Sequence, residues 1–176
     1  MPLEPSGIFL GLGSNLGLGS KAPRDILLDA LDLLLQNGDR VTTLSSFWST
    51  KAWPPNRGKP DYLNAICRIE TADEDPLALL QRCQVIEARM NRIRSLNDRW
   101  ANRTLDLDIV DYNGIVSVNC SVITLPHPRI AERDFVLLPL LEIAPDWRHP
   151  VSGTLGRVLL NQLRESGNLN DCVRLD

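Results

Sequence analysis

Hydrophobic positions change period several times along the chain, and each change marks an element. Ile8-Phe9-Leu10-Gly11-Leu12 is an unbroken apolar run that reads as a buried strand ending at Gly13. Ile26, Leu27, Ala30, Leu31 and Leu34 then recur at helical spacing. They predict a helix over residues 23–36, with Pro23 in its first turn and Gly38 closing it. Residues 41–50 are rich in β-branched and aromatic side chains and read as one strand. Pro54, Pro55, Gly58 and Pro60 mark a loop, after which residues 62–70 alternate. Asn64, Ile66, Arg68 and Glu70 fall on one face, with Leu63, Ala65, Cys67 and Ile69 on the other. Asp75-Pro76 is a helix start, and Leu79, Leu80, Cys83, Ile86 and Met90 form that helix's inner stripe. Leu105-Asp106-Leu107-Asp108-Ile109 is a strictly alternating strand. The order is βαββαβ, the ferredoxin-like split unit of an α+β fold. A C-terminal extension follows: a helical stretch over residues 129–143, which Pro139 is expected to break or bend, and a last helix over 154–163.

A chain of 176 residues is expected to form one domain over 1–176, and its 43% hydrophobic content suits a globular core. The net charge of −3 argues against a general nucleic-acid binder. One segment departs from that average. Residues 89–103 carry Arg89, Arg92, Arg94, Arg99 and Arg103 against the single acid Asp98, a pattern that suits a phosphorylated ligand as well as a solvated helix face. Cys67, Cys83, Cys120 and Cys172 show no CxxC spacing, so neither a zinc site nor a redox motif is suggested. Cys67 and Cys83 are expected as core thiols. The first residues lack a basic start and a long apolar run, and no stretch approaches the roughly 18 apolar residues of a membrane span. A cytoplasmic protein is the expectation, with no membrane or nucleic-acid partner.

The sharpest chemical feature is the pair Asp106 and Asp108. Strand alternation places both on one face while Leu105, Leu107 and Ile109 turn to the core. Adjacent carboxylates repel, so a cation between them is favourable, and hard oxygen ligands match Mg²⁺. A solvent-facing edge strand would show the same pattern. The preceding Arg99-Trp100-Ala101-Asn102-Arg103 shifts the balance, because arginine beside a metal-binding pair is equipment for phosphoryl transfer. No GxxxxGK[ST] phosphate loop is present, and Gly11-Leu12-Gly13-Ser14-Asn15-Leu16-Gly17 is not a dinucleotide fingerprint. Its glycines are expected to let backbone approach a ligand or another strand.

Four separated blocks carry a resemblance: Gly13-Ser14-Asn15-Leu16; Pro60-Asp61-Tyr62-Leu63-Asn64-Ala65; Arg99-Trp100 followed by Asn102-Arg103-Thr104-Leu105-Asp106-Leu107-Asp108-Ile109; and Pro126-His127-Pro128 with Arg133, Phe135 and Pro139-Leu140. In this order they resemble the 6-hydroxymethyl-7,8-dihydropterin pyrophosphokinases over about residues 7–150. The resemblance implies diphosphate transfer from ATP to the hydroxymethyl group of the reduced pterin, with AMP released, in folate biosynthesis. It implies two Mg²⁺ ions on Asp106 and Asp108 and phosphate-engaging, catalytic Arg92 and Arg103. Gln84, Glu87, Arg94, Ile109, Thr124, His127 and Arg133 match nucleotide-side positions. Thr50, Trp53, Tyr62, Asn64, Trp100 and Phe135 match the pterin side, with Asn64 reading the ring's edge, Tyr62 and Phe135 sandwiching it, and Trp100 on a lid. A monomer is expected. Asn102 stands where the family usually has proline or a small residue, which implies a less rigid loop. The loop over residues 95–98 is one residue longer than usual, and Val122 and Pro128 replace an arginine and a tyrosine of some members.

Two other readings stay open on the sequence. A non-catalytic ferredoxin-like binding module would need a basic, aromatic sheet face, for which Asp106 and Asp108 have the wrong sign. A different phosphotransferase on the same scaffold would release ADP rather than AMP. Residues 51–59 and 93–99 flank the site, carry few core residues and are expected to close over bound ligands.

Overall fold

The computed structural model describes residues 7–52, 58–72, 75–93, 101–117 and 122–175. Along them run β1 (Ile8–Ser14), α1 (Pro23–Gln36), β2 (Arg40–Leu44), β3 (Phe47–Thr50), β4 (Tyr62–Glu70), α2 (Pro76–Arg89) and β5 (Asp106–Tyr112). A 3₁₀ turn (Ile130–Glu132), α3 (Asp134–Ile143), α4 (Gly156–Glu165) and β6 (Val173–Leu175) complete the chain. The sheet order is β5-β1-β4-β3-β6, with β2 also beside β4 and every neighbouring pair antiparallel. Taking β2 and β3 as one interrupted strand, this is the ferredoxin-like arrangement, with β6 added at the edge.

Local chemistry accounts for the element ends. Asp25 accepts from the Ala22 N–H at 2.9 Å at the start of α1, and Asp75 accepts from Leu77 N at 2.9 Å at the start of α2. The C-terminus of α1 closes where predicted, on Gly38.

Three sequence expectations need correction. Residues 41–50 form two strands, because Ser45 takes over the ladder. The Ile66 N–H donates to the Ser45 hydroxyl at 2.9 Å instead of to a strand carbonyl, and the pairing to β4 restarts at Trp48. The stretch 129–143 is interrupted before Asp134 rather than at Pro139, which lies buried inside α3. Burial of its ring against the core offsets the one hydrogen bond it cannot make. β6 was not anticipated, since Val173-Arg174-Leu175 is short and exposed.

Leu10, Leu12, Ala65, Cys67, Leu105, Leu107 and Ile109 share one face of the sheet and pack on Ile26, Leu27, Ala30 and Leu34 of α1 and Leu79, Cys83 and Ile86 of α2. Each buried leucine or isoleucine among them contributes roughly 1.5–3 kcal/mol. Burial pushes the Cys67 thiol up to about 12, which keeps it an inert core group. On the other face Phe9, Ile66 and Val110 pack on Leu137 and Leu140 of α3 and Leu160 and Leu163 of α4. That second core covers only part of the face. The remainder, at the ends of β1, β4 and β5, is open.

Candidate active site

The open part of the sheet face has a glycine floor. In β1, Leu10 and Leu12 turn to the helices α1 and α2, so Gly11 and Gly13 present only hydrogen atoms to the other side. Strand register then builds two rows across three strands: Asn64–Gly13–Asp106 and Ile66–Gly11–Asp108. A Cβ on Gly13 would lie 3.4 Å from Asn64 Oδ1 and 3.7 Å from the Asp106 Cβ. The carboxamide and the acidic pair thus stand on either side of a bare strand, two strand spacings or roughly 10 Å apart. The cleft above this floor has a volume of about 830 Å³, ample for more than one small ligand.

Asp106 and Asp108 lie on the cleft face, and Leu107 between them is buried. Asp106 is paired with Arg92 at 2.6 Å and with Arg103. Glu87, 2% exposed, pairs with Arg92 and also accepts the Leu107 N–H at 2.8 Å, so α2 holds both an arginine and the acidic strand. Among the described residues, Asp108 has a long contact to Arg133, at 3.9 Å. Burial first, and the neighbouring Asp106 second, push its carboxyl up to about 6. A cation would relieve that crowding. Among the described residues no cluster of three His, Cys, Asp or Glu side chains could hold a metal. Two carboxylates with room for phosphate and water ligands therefore fit Mg²⁺ rather than a closed structural metal site.

Asn15, 2% exposed, organises the arginine loop: its Oδ1 accepts the Arg103 N–H at 2.8 Å and its Nδ2 donates to Asn102 Oδ1 at 2.9 Å. Asn102, which stands where the family usually has proline or a small residue, supplies one of the ties to Asn15. At the far side His127 Nδ1 accepts from Arg129 N at 3.1 Å, which leaves the ring proton on Nε2. Burial, with Arg133 and Arg129 nearby, lowers this imidazole to about 4, so it is neutral at physiological pH.

Asn64 donates to the Thr50 hydroxyl at 2.8 Å, which orients its carboxamide and leaves Oδ1 and one N–H for other partners. Thr50, Tyr62, Asn64, Phe135, Arg92, Arg103, Asp106, Asp108, His127 and Arg133 all line the one cleft. Arg133 lies over the Phe135 ring at 5.5 Å. Three of the proposed nucleotide-side residues stand apart from the lining. Gln84 is exposed on α2, Thr124 is half-buried, and the Ile109 side chain is in the helix-side core, so only its backbone is available to a ligand. Glu87 acts from beneath the cleft. Trp53, Arg94 and Trp100, and most of the two segments expected to close, lie outside the described residues. Lys51, the first residue of the segment expected to flank the site, lines the cleft, whereas the sequence reading missed Arg129 and residues 167–170, which line it too. No local motif marks these, since they arrive there by long-range packing.

Comparison with known proteins agrees with this geometry. The family model for 7,8-dihydro-6-hydroxymethylpterin-pyrophosphokinase (HPPK) matches residues 9–145. A 2-amino-4-hydroxy-6-hydroxymethyldihydropteridine pyrophosphokinase of Synechocystis is 37% identical over 163 residues, covering 92% of this chain and 78% of that protein. A protein of the same name from Haemophilus influenzae is 40% identical over 139 residues, covering 78% of this chain and 81% of that one. The Plasmodium falciparum HPPK-DHPS structure with pteroate superposes with a TM-score of 0.73 at 14% identity. It covers 97% of this chain, which spans 48% of that longer one, and at this identity it speaks for the fold alone. By the family match and by these relatives, the chain belongs to the 7,8-dihydro-6-hydroxymethylpterin-pyrophosphokinase family.

Proposed function

We propose that the cleft transfers the β- and γ-phosphoryl groups of ATP, as one diphosphate, to the hydroxymethyl oxygen of 6-hydroxymethyl-7,8-dihydropterin and releases AMP. The chain is a pyrophosphokinase of folate biosynthesis. The observation that carries the reading at atomic level is the row Asn64–Gly13–Asp106. It sets a carboxamide that can read a heterocycle's edge beside an acidic pair that can hold a charged phosphate, with nothing between them.

Asn64, oriented by Thr50, pairs with the amide-like edge of the pterin, and Tyr62 and Phe135 bound its faces. Asp106 and Asp108 are the residues that would hold two Mg²⁺ ions. Those ions, when bound, neutralise the triphosphate and polarise its phosphorus–oxygen bonds. In the free protein Arg92 and Arg103 rest on Asp106. When ATP enters, both guanidiniums exchange that carboxylate for phosphate oxygens, so charge pairing is maintained while the arginines come to bear on the reacting group. Glu87 keeps Arg92 within reach throughout. Neutral His127 offers its Nε2–H to the nucleotide without adding charge, and Arg133 adds a cation on the same side.

Product analysis tests the proposal. Incubation with Mg-ATP and the pterin should give AMP and pterin diphosphate in equal amounts. ADP with a pterin monophosphate would mean an ordinary kinase on the same scaffold, and no pterin-dependent turnover would reject the substrate.

A further inference from the structure

Beyond residue 145 the chain turns back over the cleft and ties its two sides together. α4 ends in a Schellman turn, with Gly167 at φ 71° donating to Arg164 O at 3.2 Å and Asn168 N donating to Leu163 O at 3.2 Å. This turn lays residues 167–170 along the cleft next to Phe135. The chain then enters β6, which pairs Val173 with Ser49, the neighbour of Thr50. The tail therefore spans from the start of α3 to the end of β3.

A buried charge holds its middle. Asp134 is 1% exposed and accepts from Asn170 N at 2.7 Å and from Asn170 Nδ2 at 2.6 Å. Its Oδ1 also accepts the N–H of Phe135 at 2.9 Å. An ionised carboxylate out of water is costly unless hydrogen-bonded, and two of these three donors belong to the tail. The same carboxylate therefore governs both the tail and the backbone that carries the Phe135 ring.

Resting on the reading that Thr50, Tyr62 and Phe135 hold the pterin, we propose that residues 167–170 form the outer wall of the pterin half of the cleft, and that Asp134 is the positioning residue that latches this wall to Phe135. The three donors to Asp134 come from Phe135 and Asn170 and none from Arg92, Arg103 or Arg133, so the latch should act on the pterin more than on the nucleotide.

The test uses the full chain with Asn170→Ala, Asp134→Asn, and the exchanged pair Asp134→Asn with Asn170→Asp. Calorimetric titration measures 6-hydroxymethyl-7,8-dihydropterin in the presence of Mg²⁺ and a non-hydrolysable ATP analogue, and separately the Mg²⁺-bound analogue alone. Each single substitution should weaken the pterin about tenfold and the analogue less than about twofold, with the pterin KM rising more than kcat falls. The exchanged pair restores a donor and an acceptor and should recover most of the pterin affinity. Equal weakening of both ligands, or a lower melting temperature with unchanged pterin affinity, would overturn the proposal. Should Asp134→Asn fail to fold, Asn170→Ala carries the test, since the carboxylate keeps its two backbone donors. A wild-type protein that binds no pterin would reject the underlying reading as well, whereas unaffected variants of a pterin-binding wild type reject the latch alone.

Discussion

Gly13→Ala adds a single methyl group to the floor between Asn64 and Asp106. The new carbon would stand 3.4 Å from Asn64 Oδ1 and 3.7 Å from the Asp106 Cβ, with no third atom of the described residues within 4 Å. The first contact is tight and the second ordinary, so the sheet accommodates the methyl. Removing a strand glycine lowers unfolded-chain entropy by an amount worth roughly 0.5–1 kcal/mol, which offsets the tight contact. Net stability should stay within about 1 kcal/mol of wild type. The effect on binding is different in kind. The methyl fills about the space of one water molecule where the two substrates are proposed to meet, and a displacement of about 1 Å there would cost on the order of a hundredfold in rate. We expect kcat/KM to fall about 10- to 100-fold, or roughly 1.4–2.7 kcal/mol of transition-state stabilisation. Melting curves and AMP formation at varied pterin and ATP check both halves. A variant with normal melting and kcat/KM within about twofold of wild type would refute the claim that substrates lie on the glycine floor.

Asp108→Asn keeps the side chain's size and removes its charge beside Asp106, so the fold should persist while turnover falls roughly a thousandfold; near-normal turnover at saturating Mg²⁺ would remove Asp108 from the metal site. Asn64→Leu should weaken pterin binding by about 1–3 kcal/mol and cost about 1 kcal/mol of stability through the lost bond to Thr50. Nucleotide affinity should hardly change, and equal loss for both ligands would make Asn64 purely structural. His127 is lowered to about 4 from its ordinary 6.5, so the unfolded chain takes up its proton first as pH falls. The stability tied to the neutral ring is complete above about pH 6.5 and is lost as pH drops toward 4, an amount of about 1–3 kcal/mol for a half-buried group. Urea unfolding of wild type and His127→Gln at pH 7 and 4.5 should show a smaller pH effect in the variant, and identical pH effects would refute the assignment.

What the sequence made legible was whatever a single element decides. Alternation in β5 separates Asp106 and Asp108 from Leu107, and structure keeps that separation because a one-residue slip would bury both carboxylates. The bounds of α1 and β4 follow from proline, glycine and period alone. What stayed hidden depends on pairing between distant segments. That Gly13 stands between Asn64 and Asp106 is a matter of register, not of composition. Ser45 breaks a strand only because the Ile66 N–H is opposite it. Ile109 matched a nucleotide-side position, yet the same alternation that exposes Asp108 turns its side chain to the core. Asn170 reaches the cleft because a buried Asp134 calls for donors, and nothing local announces it.

The central claim is that two phosphoryl groups move together from ATP to the pterin. ATP labelled at both the β- and γ-phosphorus, incubated with Mg²⁺, the protein and 6-hydroxymethyl-7,8-dihydropterin, tests this directly by ³¹P resonance or mass analysis of the products. The account predicts both labels in the pterin product, unlabelled AMP, and loss of the transfer in Asp106→Ala. The γ-label alone on the pterin with labelled ADP, or both labels released as inorganic phosphate, would contradict it.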